Sequence, residues 1–123
     1  MKSIYTPNAP EAIGPYSQAM QVGNLVFTSG QIAIDPATGN VEATTIEGQT
    51  HQVCKNLQAV LTAAGSSLDK VVKTVCFLSD MNDFAAFNGV YGQYFTGKPA
   101  RSCVAVKTLP KNVLVEIDTI AEA

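Results

Sequence analysis

The chain has no tryptophan, one histidine and three cysteines, and charged residues make up only 15% of its 123 positions. Each scarcity excludes something. Three cysteines, an odd number without a CxxC pair, do not build a disulfide framework and fit a reducing compartment. The lone histidine, His51, stands three residues before Cys54, while Cys76 and Cys103 fall in separate predicted strands. That is not a metal-ligand pattern, so no metal site is expected. Eight basic residues against ten acidic ones give a formal net charge of -2, which leaves no basic footprint for nucleic acid. No apolar run approaches the roughly 18 residues of a membrane span, and the first residues lack a signal-peptide core. A cytoplasmic location is therefore expected.

Hydrophobic residues make up 46% of the chain. A typical soluble domain carries about 25% charge, so too few charges are present to cover a monomer comfortably. Residues 1–123 read as a single domain with part of its surface buried between subunits. Lys2–Tyr5 predicts a short strand, broken by the prolines at 7 and 10. Ser17–Val22 and Leu25–Ser29 predict a hairpin around Gly23-Asn24. The first helix starts at a capping box of Thr44 and Glu47, repeats Val53, Leu57, Val60, Leu61 and Ala64, and stops at Gly65. Its polar side, Gln49, Lys55 and Gln58, is expected to meet water.

Val71–Leu78 is apolar on both faces and predicts a central strand. A second helix runs from about Met81 to Phe95, capped by Asp80, with an aromatic stripe read mostly as core. Two further strands flank the turn Leu109–Asn112. Hairpins interrupted by two helices predict an α+β fold, a mixed sheet with both helices on one face. The other face then needs cover, and another subunit is the economical source.

The stretch Pro99–Val106 stands out. In an extended strand Arg101, Cys103 and Ala105 share one face, and Val104 and Val106 the other. Arg101 has no carboxylate in its own segment. Its planar fork matches a small carboxylate ligand through paired hydrogen bonds. The alternative is a structural ion pair with Glu116 or Asp118 of the last strand, or a head group that reaches solvent.

Four motifs, in order, carry a resemblance: Ala12–Gln18 (AIGPYSQ), Phe27–Ile32 (FTSGQI), Asn82-Asp83-Phe84, and Pro99–Val104 (PARSCV). Leu109-Pro110-Lys111 and Val115-Glu116-Ile117 complete it. From Tyr5 to Ala121 the chain resembles the RidA (YjgF-type) family of reactive-intermediate deaminases. The resemblance implies a chorismate-mutase-like α+β fold, assembled as a homotrimer with clefts between subunits. It implies hydrolysis of 2-aminoacrylate, 2-iminopropanoate and 2-iminobutanoate to 2-oxo acids and ammonia, with no cofactor.

By the same resemblance Arg101 binds the substrate carboxylate, and Glu116 positions water or relays a proton. Tyr16, Ser29, Gly30, Asn88 and Cys103 match pocket positions. Cys103 is read as lining rather than nucleophile, since imine hydrolysis needs no covalent enzyme intermediate. Two departures bear on substrate range: Ala105 stands where the family commonly has glutamate, and the loop Thr96-Gly97-Lys98 is short. The alternatives are a ligand-binding regulatory or chaperone-like trimer without turnover, and a ribonuclease, which the acidic charge and single histidine disfavour.

Overall fold

The Gly23-Asn24 hairpin is the simplest place to see the fold begin. The computed structural model describes residues 1–123. Its strands are β1 (Lys2–Ile4), β2 (Ala19–Val22), β3 (Leu25–Thr28), β4 (Ile34–Asp35), β5 (Asn40–Val41), β6 (Val71–Leu78), β7 (Ala100–Ala105) and β8 (Val115–Glu122). Two helices, α1 (Ile46–Ala63) and α2 (Phe84–Tyr94), lie between β5 and β6 and between β6 and β7. Val22 pairs with Leu25, so the predicted two-residue turn closes, with Gly23 at φ 55° where a side chain would be strained. Six strands form one sheet in the order β1-β2-β3-β8-β6-β7, and β4 and β5 make a separate ribbon. All pairs are antiparallel except β6 with β7, which the α2 crossover makes parallel. The α+β expectation, with two helices and a mixed sheet, holds.

The start of α1 departs from the capping box. Thr45, not Thr44, is the N-cap, and its hydroxyl accepts the Gly48 N–H at 3.1 Å. Glu47 thus falls one position too early to answer it. The stop is as expected. Gly65 takes φ 78°, Ser66 N–H bonds Leu61 O at 2.8 Å, and Gly65 N–H bonds Thr62 O at 3.0 Å. Asp80 accepts from Asn82 N–H at 2.9 Å, but the first turn it opens, Met81–Asp83, is a 3-10 turn before α2 proper.

Val26, Cys76, Leu78, Val115, Ile117 and Ala121 point to one face and pack beneath Val53, Leu57, Leu61, Phe87 and Tyr91. Polar groups on this face are paired: Thr28 and Thr119 hydroxyls meet at 3.0 Å, and Thr74 meets Tyr91 at 2.8 Å. The opposite face bears Phe27, Val75, Phe77, Val104, Glu116 and Asp118, all partly or fully open. Val104 is 48% exposed.

Irregular segments are tied to this frame by buried amides. Asn56 donates to Ile32 O at 3.1 Å and Ile34 O at 2.9 Å. Gln49 was expected in water, yet it is buried. It donates to Ala43 O at 3.0 Å and accepts Leu114 N–H at 2.8 Å, bridging two loops that offer no ladder. Lys55 and Gln58 are exposed, as expected.

Candidate active site

Arg101 lies opposite Thr74, and Cys103 opposite Cys76, in the parallel β6–β7 register. Both therefore face the helices. Arg101 donates from Nη1 to Asn88 Oδ1 at 2.7 Å. Its guanidinium carbon sits 4.8 Å from the Tyr91 ring centre, 5.4 Å from Phe84 and 5.9 Å from Phe87. These rings recur along one stripe of α2, so the helix offers the cation π faces as well as an amide. The other guanidinium donors make no hydrogen bond within the chain and are free for an external carboxylate. The Cys103 thiol is half-buried beside it. Burial pushes its pKa up, and the Arg101 charge offsets only part of that, so the thiol keeps its proton. Cys54 and Cys76, deeper still, are each pushed up to about 12 by burial.

Glu116 lies opposite Phe77 on β8 and faces the open side of the sheet. Burial raises its pKa above the ordinary carboxylate range, and the negative charge of Asp118, two residues along the same face, raises it further. Gly30 passes directly beneath it. A Cβ on residue 30 would lie 2.9 Å from the Glu116 carboxyl carbon, so any side chain here would push that carboxylate aside from its present seat. The crossing is fixed by a bridge next door, where Gln31 N–H bonds Ile117 O at 2.9 Å and Ile117 N–H bonds Gln31 O at 3.2 Å.

Ser29 is committed to the backbone, its hydroxyl donating to Ser17 O at 2.6 Å. Tyr16 is 51% exposed, and its hydroxyl accepts the Ile13 N–H at 3.4 Å. Tyr16, Gly30, Gln31, Ile13 and Glu116 line a cleft of about 270 Å³.

The predicted residues thus fall into two groups. Arg101, Asn88 and Cys103 meet on the helix-covered face; Tyr16, Gly30 and Glu116 meet at the open-face cleft, with Ser29 behind them. Arg101 and Glu116 stand on opposite faces and do not pair, so the structural ion pair is not formed within the chain. The sequence reads Phe84, Phe87 and Tyr91 mostly as core, with a binding role for one or two as the lesser alternative; the structure seats the guanidinium among all three. Their spacing, just upstream of an unpaired arginine, was the available signal. Gln18 and Gln31, which line the cleft, were missed as site residues although both stand inside the motifs AIGPYSQ and FTSGQI.

Residues 6–123 match the family model described as Endoribonuclease L-PSP. The chain is 48% identical to the 2-iminobutanoate/2-iminopropanoate deaminase of Salmonella typhimurium, over 98% of this chain and 96% of that protein. It is 55% identical to a RutC family protein of Pyrococcus horikoshii, over 96% of this chain and 94% of that one. The crystal structure of E. coli TdcF with bound serine superposes with a TM-score of 0.95 at 43% identity, covering 100% of this chain and 99% of that one. A caged arginine, a glycine-seated glutamate and whole-length matches of this kind agree with one another, and the chain belongs to the RidA/YjgF (L-PSP) family.

Proposed function

We propose that this protein is a 2-iminobutanoate/2-iminopropanoate deaminase, hydrolysing 2-imino and enamine acids to 2-oxo acids and ammonia. The observation that carries the reading is Arg101, held by Asn88 and three aromatic rings with donors left over. A preorganised fork of this kind binds a carboxylate and fixes the neighbouring C=N carbon.

An enamine is first protonated at carbon to give the imine. Water then adds to the C=N carbon while a proton goes to nitrogen. The resulting carbinolamine expels ammonia as its hydroxyl proton leaves and the C=O bond forms. Glu116 takes the proton from water and returns one to the departing nitrogen. A carboxyl with a raised pKa is suited to both transfers. Tyr16 and the Gly30 backbone border the reacting atoms, and the protonated Cys103 lines the pocket without attacking.

Because Arg101 and Glu116 occupy opposite faces, a complete site draws Arg101 from one copy and Glu116 from another. A homotrimer supplies three such clefts and covers the apolar open face. The whole chain acts as one domain in the cytoplasm, without cofactor or nucleic acid. A nuclease reading is disfavoured by the negative charge and by the single histidine, whose Nδ1 is engaged at 2.8 Å by the Tyr94 hydroxyl in a part-buried contact between the two helices.

The test generates the imines in place, with a pyridoxal-phosphate dehydratase acting on threonine or serine. Release of 2-oxo acid is expected to accelerate on adding the native protein. No acceleration with either amino acid overturns the enzyme in favour of a carboxylate-binding trimer without turnover.

A further inference from the structure

We propose that Gln18 is a positioning residue whose side-chain amide sets the lip of the cleft over Glu116. The proposal deepens the hydrolase reading above and rests on it. Gln18 is 2% exposed. Its Oε1 accepts Thr6 N–H at 2.7 Å, and its Nε2 donates to Pro10 O at 2.8 Å, Thr6 O at 3.1 Å and Ala9 O at 3.4 Å. One amide thus serves four backbone groups of a segment that has no strand partner. Prolines at 7 and 10 deny that segment two N–H donors.

From Pro10 the chain continues through Ile13 to Tyr16, and both residues line the cleft beside Glu116. The backbone of the same residue reaches the other way. Gln18 O accepts Ser29 N–H at 2.9 Å, next to the Ser17 O that accepts the Ser29 hydroxyl. Ser29 leads directly into Gly30, on which the Glu116 carboxyl rests. Lip and floor are therefore registered to each other through Gln18, which touches no reacting atom.

Such a residue acts on the reacting geometry more than on carboxylate capture, which belongs to Arg101. Two replacements separate this from a role in folding alone. Methionine keeps the length and packing but none of the hydrogen bonds. Glutamate keeps the shape, yet when ionised it has no donor for the three carbonyls, and when protonated it regains one. Glu11, Glu116 and Lys111 line the same cleft, so the methionine variant is the control for their titration.

The experiment measures kcat and KM of the full chain on dehydratase-generated imine from about pH 5.5 to 8.5, the range into which burial lifts a carboxyl, with thermal unfolding recorded alongside. In folded Gln18→Met, kcat is expected to fall about tenfold or more with KM changed less than about threefold, since small misplacements at a reacting centre cost rate steeply. Gln18→Glu is expected to match it at high pH and to recover toward the native rate, measured at the same pH, as the solution is acidified. A folded variant with native kcat overturns the proposal, as does a lowered melting temperature with kcat intact. Failure of both variants to fold also overturns it, placing the amide in service of the fold. An inactive native protein defeats the hydrolase reading itself, whereas an active one with equally active variants defeats only the positioning.

Discussion

The two faces of the sheet hold the side chains of the candidate site by opposite means. On the covered face Arg101 is a charge made comfortable: rings below it, an amide beside it, and unused donors turned to no partner in the chain. On the open face Glu116 is a charge made uncomfortable, half-buried, next to Asp118 and pressed on a glycine. A binding group benefits from keeping its charge, and a proton-transfer group benefits from holding it loosely. The difference supports the proposed roles better than either residue does alone.

The comparison breaks most visibly at Arg101. Arg101→Ala is expected to abolish measurable 2-oxo acid release, a loss of about 2 to 5 kcal/mol in transition-state binding or more, while elution on size-exclusion chromatography stays that of the native protein. Glu116→Gln is expected to cost about a hundredfold in kcat. It should also stabilise the protein at neutral pH. A raised folded pKa contributes stability below the ordinary carboxylate range and loses it as pH rises through the raised value, so ionised Glu116 is a cost that glutamine removes. Denaturation midpoints above and below that window check the sign.

Mixing the two inactive variants sharpens the contrast. If each cleft takes one residue from each face of different copies, unfolding and refolding them together at equal ratio restores about a quarter of native activity, the share of clefts with two native halves. No recovery would mean that both residues act within one chain. Gly30→Ala is expected to lower activity with little change in stability, because its methyl displaces the flexible Glu116 carboxylate rather than a packed core group. Urea titration of Gly30→Ala should give a midpoint close to the native one while 2-oxo acid release falls. The smallest effect belongs to Cys103→Ser, which should keep most of the activity; collapse in the same assay would restore a thiol mechanism.

Much of this was legible in the residues. The period of α1, the Gly23-Asn24 turn and the two-faced β6 are local patterns, and local patterns survive into the structure. What sequence hid is what depends on contact across the fold. Gln49 looked like a solvent-facing helix residue because nothing local reveals that Leu114 needs an acceptor there. The shift of the N-cap to Thr45 went against the capping-box spacing, which fits Thr44 with Glu47 but is overruled by the Thr45 hydroxyl reaching the Gly48 N–H. At the site, the motif around Arg101 was readable, but the opposition of Arg101 and Glu116 across the sheet was not. Alternation gives each residue a side of its own strand, and only the register between strands says whether two sides agree.

The order of the strands has a temporal consequence. β8 lies in the middle of the sheet, with β3 on one side and β6 on the other. The hairpin of β2 and β3 and the crossover unit of β6, α2 and β7 share no ladder without it. During synthesis the two halves can form locally, yet no strand ladder joins them until residues 115–122 have been made and inserted between them. Closure through pairs as distant in sequence as Thr28 and Thr119 is slow relative to local steps. Until that insertion, the seat for Glu116 exists but its occupant does not, so the acquisition of a working cleft and the final collapse of the core are one event.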